Sequence, residues 1–321
     1  MKKLKPTSVI SAIVLATSLS ASLSFANEYP EKSVEVVVGY SAGGGTDVMA
    51  RTIATHLENY LGKDAALVVK NYPGAGGQIG FTKVATADAD GYTLGTMNLP
   101  AALALTYDRK ADYSADSFTW LANFVSDPNT LVVSKKSGIT SVEQLIQVAQ
   151  DKHGAMTVGL AALGGNDHFS AIQFAKAANI KLIHVPFKGA AMARTSIMGG
   201  HVNMGTMAFS QTVGFDNELR VLAVLSDQRL TQAPNIPTAK ELGYDVVMGA
   251  YRGLVAPAGL PEATLKRLKA ALDKLSEDPE FLEDMKNRGT PVQYNSGVAY
   301  ESLAQEQNEI AKKIWQETPW K

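Results

Sequence analysis

The stretch VEVVVGYSAGGGTDVMARTIATHL, Val34 to Leu57, passes from a β-branched run through a glycine-rich turn into a segment of helical period. Val34 to Val38 carry no polar alternation beyond Glu35, as expected of a strand covered on both faces of a parallel sheet. Met49, Ile53, Leu57 and Leu61 recur every fourth residue and form one apolar stripe, and Gly62 stands where such a helix ends. Glycines between a strand end and a helix start let the backbone approach a ligand, and the first-turn N–H groups have no partner within the helix. The dipole adds partial positive charge there, so the stretch builds a place for an anion.

Further along, Ala65 to Lys70 reads as a second strand, NYPGAGGQIG as another glycine turn, and Gln78 to Ala87 as a helix. DADGYTLGTMN supplies a turn and a third strand. A second unit of this kind starts at TLVVS, Thr130 to Ser134, where Ser141 and Gln144 match a capping box before VEQLIQVAQ. The strand MTVGLA, the turn LGGND, the helix HFSAIQFAKAA, the strand IKLIHVPF, a helix through Ile197 and Met198, and the strand VNMGTM follow. RVLAVLS and RGLVAP read as strands on the route back, and the chain after Pro261 as helices. This alternation signals α/β structure with parallel crossovers. SAGGGTD and LGGND repeat one device, glycines and then an aspartate at a helix start. They present anion sites from two lobes if they face one cleft, or ordinary turns capped by Asp47 and Asp167 if they do not.

Composition narrows the class. The 321 residues are 45% hydrophobic and 19% charged, enough for two modest cores. Lys2, Lys3 and Lys5, the apolar stretch Val9 to Ala16 and Ser24-Phe25-Ala26 read as a cleavable secretory signal over residues 1–26. The apolar run falls short of the roughly 18–20 residues a bilayer span needs. Without the signal the chain has 27 Lys and Arg against 31 Asp and Glu, a formal charge of −4, which does not favour nucleic acid or anionic lipid. The absence of cysteine excludes disulfides, thiol catalysis and lipoprotein acylation.

Other chemistries are weighed residue by residue. Gly39-Tyr40-Ser41-Ala42-Gly43 matches the G-x-S-x-G elbow of serine hydrolases, with His168, His184 and His201 as conceivable bases, but in that fold the elbow follows several earlier strands, one of which supplies part of the oxyanion hole, whereas here it follows the first strand of the mature chain. GGGTD lacks the G-K-[ST] of a phosphate loop, and in GAGGQIG Ile79 stands where a dinucleotide fingerprint needs its last glycine. No histidine pair has metal-ligand spacing, so neither a metal nor a cofactor is expected. Arg252 in GAYRGLVAP suits a bidentate carboxylate pair or, alternatively, a surface pair with a neighbouring acid. Lys188 in VPFKGA follows a strand and faces either the cleft or solvent. Met192, Met198, Met204 and Met207 read as core filling, with Met207 also among the cleft candidates.

In order, YPEKSVEVVVGYSAGGGTDVMAR, NYPGAGGQIG, ADADGYTLGT, HVPFKGA, IMGGHVNM, GLVAPAGLP and DPEFLEDMKNRGTPV resemble the substrate-binding proteins of tripartite tricarboxylate transporters, the TctC or Bug family. The resemblance spans the mature chain. It implies a type II periplasmic-binding-protein fold, two α/β lobes with a ligand cleft and a two-stranded hinge. Lobe one would comprise residues 27–128 plus 252–321, and lobe two residues 129–251. It further implies that a carboxylate is gripped by Tyr40, Ser41, Ala42, Gly43, Gly44, Gly45 and Thr46, by Asn71 with Gly74, Ala75, Gly76 and Gly77, and by Leu163, Gly164, Gly165 and Asn166. Implied partners are a small organic carboxylate and a large and a small integral membrane subunit, with the receptor a periplasmic monomer. Departures from the family pattern at Tyr40-Ser41-Ala42, AALGGND and Tyr251-Arg252 bear on the far end of the ligand, and Arg252 favours a di- or tricarboxylate. A sensory co-receptor for a membrane kinase would use the same cleft.

Overall fold

The computed structural model describes residues 29–62, 65–151, 155–290 and 292–320; the signal segment expected over residues 1–26 lies outside them. In chain order the first part runs β1 (Val34–Val38), α1 (Gly45–Leu61), β2 (Leu67–Asn71), α2 (Gln78–Ala85), β3 (Thr93–Leu99), α3 (Ala101–Asp108) and β4 (Phe118–Pro128). The middle part runs β5 (Thr130–Ser134), α4 (Val142–Asp151), β6 (Thr157–Leu160), α5 (Asn166–Ala177), β7 (Ile183–Pro186), α6 (Ala190–Met198), β8 (Met204–Gly205) and β9 (Leu219–Val224). The chain then returns through β10 (Gly249–Pro257) to α7 (Glu262–Ser276), α8 (Pro279–Asn287), β11 (Val292–Ser296) and α9 (Gly297–Glu317).

Two sheets result, in the strand orders β11-β4-β10-β3-β1-β2 and β7-β6-β8-β5-β9. β1 pairs in parallel with both β2 and β3, and its valines serve two faces. Val34, Val36 and Val38 pack under α1, α7 and α8, while Val37 joins Phe81, Val84 and Tyr300 on the opposite side. That double burial explains why valines occupy every position of β1 but Glu35. The second sheet has its own core around Leu131, Val133, Leu145, Val158, Leu160 and Phe174. Each sheet with its helices forms one lobe of a two-lobed α/β fold.

Two central elements have no counterpart in the sequence reading. β4 is 11 residues long, buried along nearly its whole length and antiparallel to β10, so it shows no alternation to read. α3 is apolar from Ala101 to Leu105 because that part sits at the lobe junction, where Ala104 packs with Phe169, Met248, Ile314 and Trp320. The capping box at α4 is also redistributed: Ser141 Oγ accepts from Gln144 N at 3.2 Å, but the Gln144 side chain accepts from Thr140 N at 2.8 Å.

β4 and β10 carry the chain between lobes. Asn129 N donates to Met248 O at 2.8 Å and Leu225 N to Asn129 O at 2.7 Å, which ties the two crossings to β9. The end of α9 also reaches the second lobe, where Lys176 and Glu317 pair at 3.2 Å.

Candidate functional site

The first-lobe turn leaves its helix end open. Gly44 is the N-cap of α1, and no side chain caps it. Asp47, in the first turn, reaches back instead to accept from Gly43 N at 2.9 Å, and Gly43 supplies the positive φ of 79° that this loop requires. Asn71 donates to Tyr40 O and to Asp47, both at 2.9 Å, and Arg51 pairs with Asp47 at 2.9 Å. Burial opposes ionisation of Asp47, but the bonds from Arg51, Gly43 and Asn71 outweigh it and hold its carboxyl below the usual range. Asp47 is therefore spent within its own turn, and the N–H groups of Gly45 and Thr46 are left to the cleft.

The second-lobe turn differs. Gly165 caps α5 without a side-chain bond, and Asp167, 5% exposed, accepts from Ala161 N. Among the described residues no cation lies within ion-pair distance of Asp167. Burial pushes its carboxyl up to about 6, partly offset by backbone N–H groups of Ala161, Asp167 and His168 and by the charge of Arg252. Behind the turn, His168 Nδ1 accepts from Gly164 N at 3.0 Å, so the imidazole proton sits on Nε2, 2.9 Å from His184 Nδ1. Burial pushes His168 down to about 3, with the neighbouring His184 adding to the shift. Trp320 stacks edge-on against His168 at 5.9 Å between ring centres.

The two turns face one another across two adjoining cavities. The inner one, about 50 Å³, is lined by Tyr40, Ser41, Gly44, Gly45, Thr46, Gly165, Asn166, Met207 and Arg252 among the residues singled out from sequence. The outer one, about 360 Å³, is lined by Tyr40, Gly74, Ala75, Gly76, Gly77 and Lys188. Tyr40 and Ala161 line both, so the two form one continuous cleft. Ala42, Gly43, Asn71, Leu163 and Gly164 line neither: Gly43 and Asn71 brace the first turn, Gly164 bonds His168, and Leu163 packs into the second-lobe core.

Arg252 is not at the surface. It is 4% exposed and its Nη1 donates to Asp127 Oδ2 at 2.7 Å, in an acid wholly removed from solvent. The acid pair expected of it is thus present but buried rather than at the surface, and the residue also borders the cavity. Arg252 also overhangs the open end of α1, because a Cβ added to Gly45 would lie 3.1 Å from its Cζ. Ser41 Oγ donates to Lys188 O at 2.8 Å, a bond between lobes. Its hydroxyl is thus committed to a carbonyl rather than to a histidine. Met204 and Met198 pack in the second lobe, Met192 borders the outer cavity, and Met207 is both core and cavity wall.

Sequence reasoning missed Asn98, Ala101, Ala161, Ala162, Asp167, Ala190, Ala208 and Gln211 in the inner cavity. Asp167 had a signal, the acid directly after the glycines of LGGND. Asn98, the penultimate residue of β3, donates to Thr46 Oγ1 at 2.6 Å; only the sheet order brings it under the first turn. The small alanines carry no chemical label and serve by leaving room.

The sequence pattern of the tripartite tricarboxylate transporter family receptor (TctC) matches residues 49–319. Protein BugT of Bordetella pertussis is 31% identical over 88% of this chain and 88% of its own. Among solved structures, MatC from Rhodopseudomonas palustris with bound malate is 26% identical, covering 89% of this chain and 99% of its own at a TM-score of 0.82. A second R. palustris protein, solved with adipate, is 25% identical over 90% and 96% at a TM-score of 0.80. With its two lobes, its facing glycine turns and this match over most of its length, the chain belongs to the TctC family of tripartite tricarboxylate transporter receptors.

Proposed function

We propose that this receptor captures a small organic carboxylate in the cleft between its lobes and delivers it to a large and a small integral membrane subunit. The observation that carries this reading is the uncapped N-terminus of α1, whose N–H groups open on a cavity bordered by Arg252. Such an end attracts a carboxylate through unpaired N–H groups and the helix dipole together. The malate and adipate of the two solved relatives support the same ligand class for this chain. Residues 1–26 act as an export signal and place the protein in the periplasm. Among the described residues no helix is long and apolar enough to cross a membrane.

Gly44, Gly45, Thr46 and Arg252 hold the proximal carboxylate, Ser41 lines the same cavity with its hydroxyl bridging to Lys188 O, Gly165 and Asn166 approach from the second lobe, and Gly74 to Gly77 with Lys188 surround the distal part. The lobes divide at residues 27–128 plus 252–321 and 129–251, and they close about β4 and β10, excluding water from the anion. The protein works as a monomer. Thermal denaturation of ligand-stripped protein against mono-, di- and tricarboxylates tests the reading. A true ligand at a hundred times its Kd adds about 2.7 kcal/mol; no stabilisation by any carboxylate would remove the proposal.

A further inference from the structure

We infer that the ligand is an α-amino acid, its carboxylate at the open end of α1 beside Arg252 and its ammonium received by Asp167. The inference rests on the carboxylate-receptor reading and narrows it. The two turns repeat one motif in sequence but present opposite faces to the cavity. In the first, Asp47 lies outside the cavity lining, neutralised by Arg51 and hydrogen-bonded by Asn71. In the second, Asp167 lines the cavity itself, is 5% exposed, and is met by backbone N–H groups but, among the described residues, by no cation within ion-pair distance. A buried carboxylate without a counter-charge is costly, and a ligand cation relieves that cost.

A second acceptor points the same way. Asn98 lines the same cavity at 8% exposure, and its Oδ1 is buried with no hydrogen-bond partner. An ammonium offers three donors, enough to serve more than one oxygen. The charge balance agrees: Arg252 is already offset by Asp127, so an ionised Asp167 leaves the inner cavity hostile to a second anionic group. A di- or tricarboxylate without an amine would bring like charge against Asp167. The inner cavity of about 50 Å³ holds about three to five water-sized groups, the scale of an amino-acid head group. The side chain then passes Tyr40 and Ala161 into the outer cavity, where Lys188 stands at the rim.

Calorimetric titration of the ligand-stripped mature protein with matched pairs tests this: aspartate and succinate, glutamate and glutarate, leucine and 4-methylpentanoate, phenylalanine and 3-phenylpropionate. In the pair that binds best, the amine-bearing member is expected to bind about tenfold or more tightly, the worth of a charge-assisted hydrogen bond. In Asp167→Asn, which keeps an oxygen for Ala161 N, that preference should shrink to about threefold or less. Equal or tighter binding by the deaminated member overturns the inference and leaves the carboxylate receptor standing, as does a preference that survives Asp167→Asn. Binding by neither member of any pair removes the receptor reading along with it. Where Asp167→Asn does not fold, as judged by circular dichroism, the wild-type preference alone decides.

Discussion

Arg252 Nη1 lies 2.7 Å from Asp127 Oδ2 across the two crossing strands, and Asp127 also accepts from Ser210 N at 3.1 Å and from Ser210 Oγ. One buried carboxylate thus joins both hinge strands to a second-lobe loop. Removing one member of a buried pair leaves the other charge uncompensated, at a cost of about 3–5 kcal/mol. Arg252→Met alone should therefore lower stability in urea by that amount, while Arg252→Met combined with Asp127→Leu recovers most of it. A single variant as stable as the parent would contradict this account of the hinge.

Ser41 and Lys188 meet only when the lobes are together. Ser41→Ala removes one exposed hydrogen bond of about 0.5–1.5 kcal/mol. Ligand affinity is expected to fall about two- to tenfold, through faster release in stopped-flow traces and with unfolding in urea unchanged. A faster on-rate or a large loss of stability would count against a closing contact.

Gly45 sits under Gln211 and Arg252, and a Cβ there would lie 2.3 Å from Gln211 Nε2 and 3.1 Å from Arg252 Cζ. Gly45→Ala forces both side chains aside at the anion site. At about 1–3 kcal/mol of overpacking, affinity drops about five- to 150-fold, read by titration of the carboxylate that stabilises the parent protein. Unchanged affinity would show that the ligand does not use this helix end.

Acid acts on the second-lobe turn in two opposing ways. His168 is pushed down to about 3 from its ordinary 6.5, so the unfolded chain takes up its proton first and stability is lost as pH falls from about 6.5 toward 3. Asp167 is pushed up to about 6 from 3.8, so the folded state protonates first and gains stability as pH falls from about 6 toward 3.8. Asp167→Asn removes the gain and keeps the loss. Between pH 7 and pH 5 the variant should therefore lose about 1.4 kcal/mol more than the parent, one pH unit of linkage, in urea titrations at each pH. Parallel profiles would mean Asp167 ionises normally.

Trp320, 5% exposed, packs on Phe169 at 5.0 Å and behind Gly164, whose added Cβ would meet its indole at 3.2 Å. Trp320→Ala should cost about 3–5 kcal/mol in urea and weaken ligand binding by loosening the second-lobe turn. Full affinity in a destabilised variant would confine this residue to packing.

Much was legible because local physics left marks. The valine run of β1, the four-residue period of α1 and the glycines before each helix come from burial and backbone freedom, which act within a few residues. The order of motifs then carried the family and the two-lobed fold. β4 and α3 were not legible, since an element buried on every side has no polar face to reveal its period. The capping aspartates looked alike in sequence, yet Asp47 found Arg51 and Asn71 nearby while Asp167 found backbone N–H groups and, among the described residues, no cation within ion-pair distance.

The sequence by itself determined most of the strands and helices, β4 and α3 excepted, and that two helix ends would be rich in unpaired N–H groups, because those properties are set by neighbours along the chain. Tertiary structure alone decided that the ends share a cavity, that Arg252 arrives there already paired with Asp127, and that Asn98 and Asp167 line it with, among the described residues, no cation within ion-pair distance of Asp167. Charge in a buried site depends on which groups meet in space, and residues 41, 98, 127, 167 and 252 meet only once the two sheets have formed.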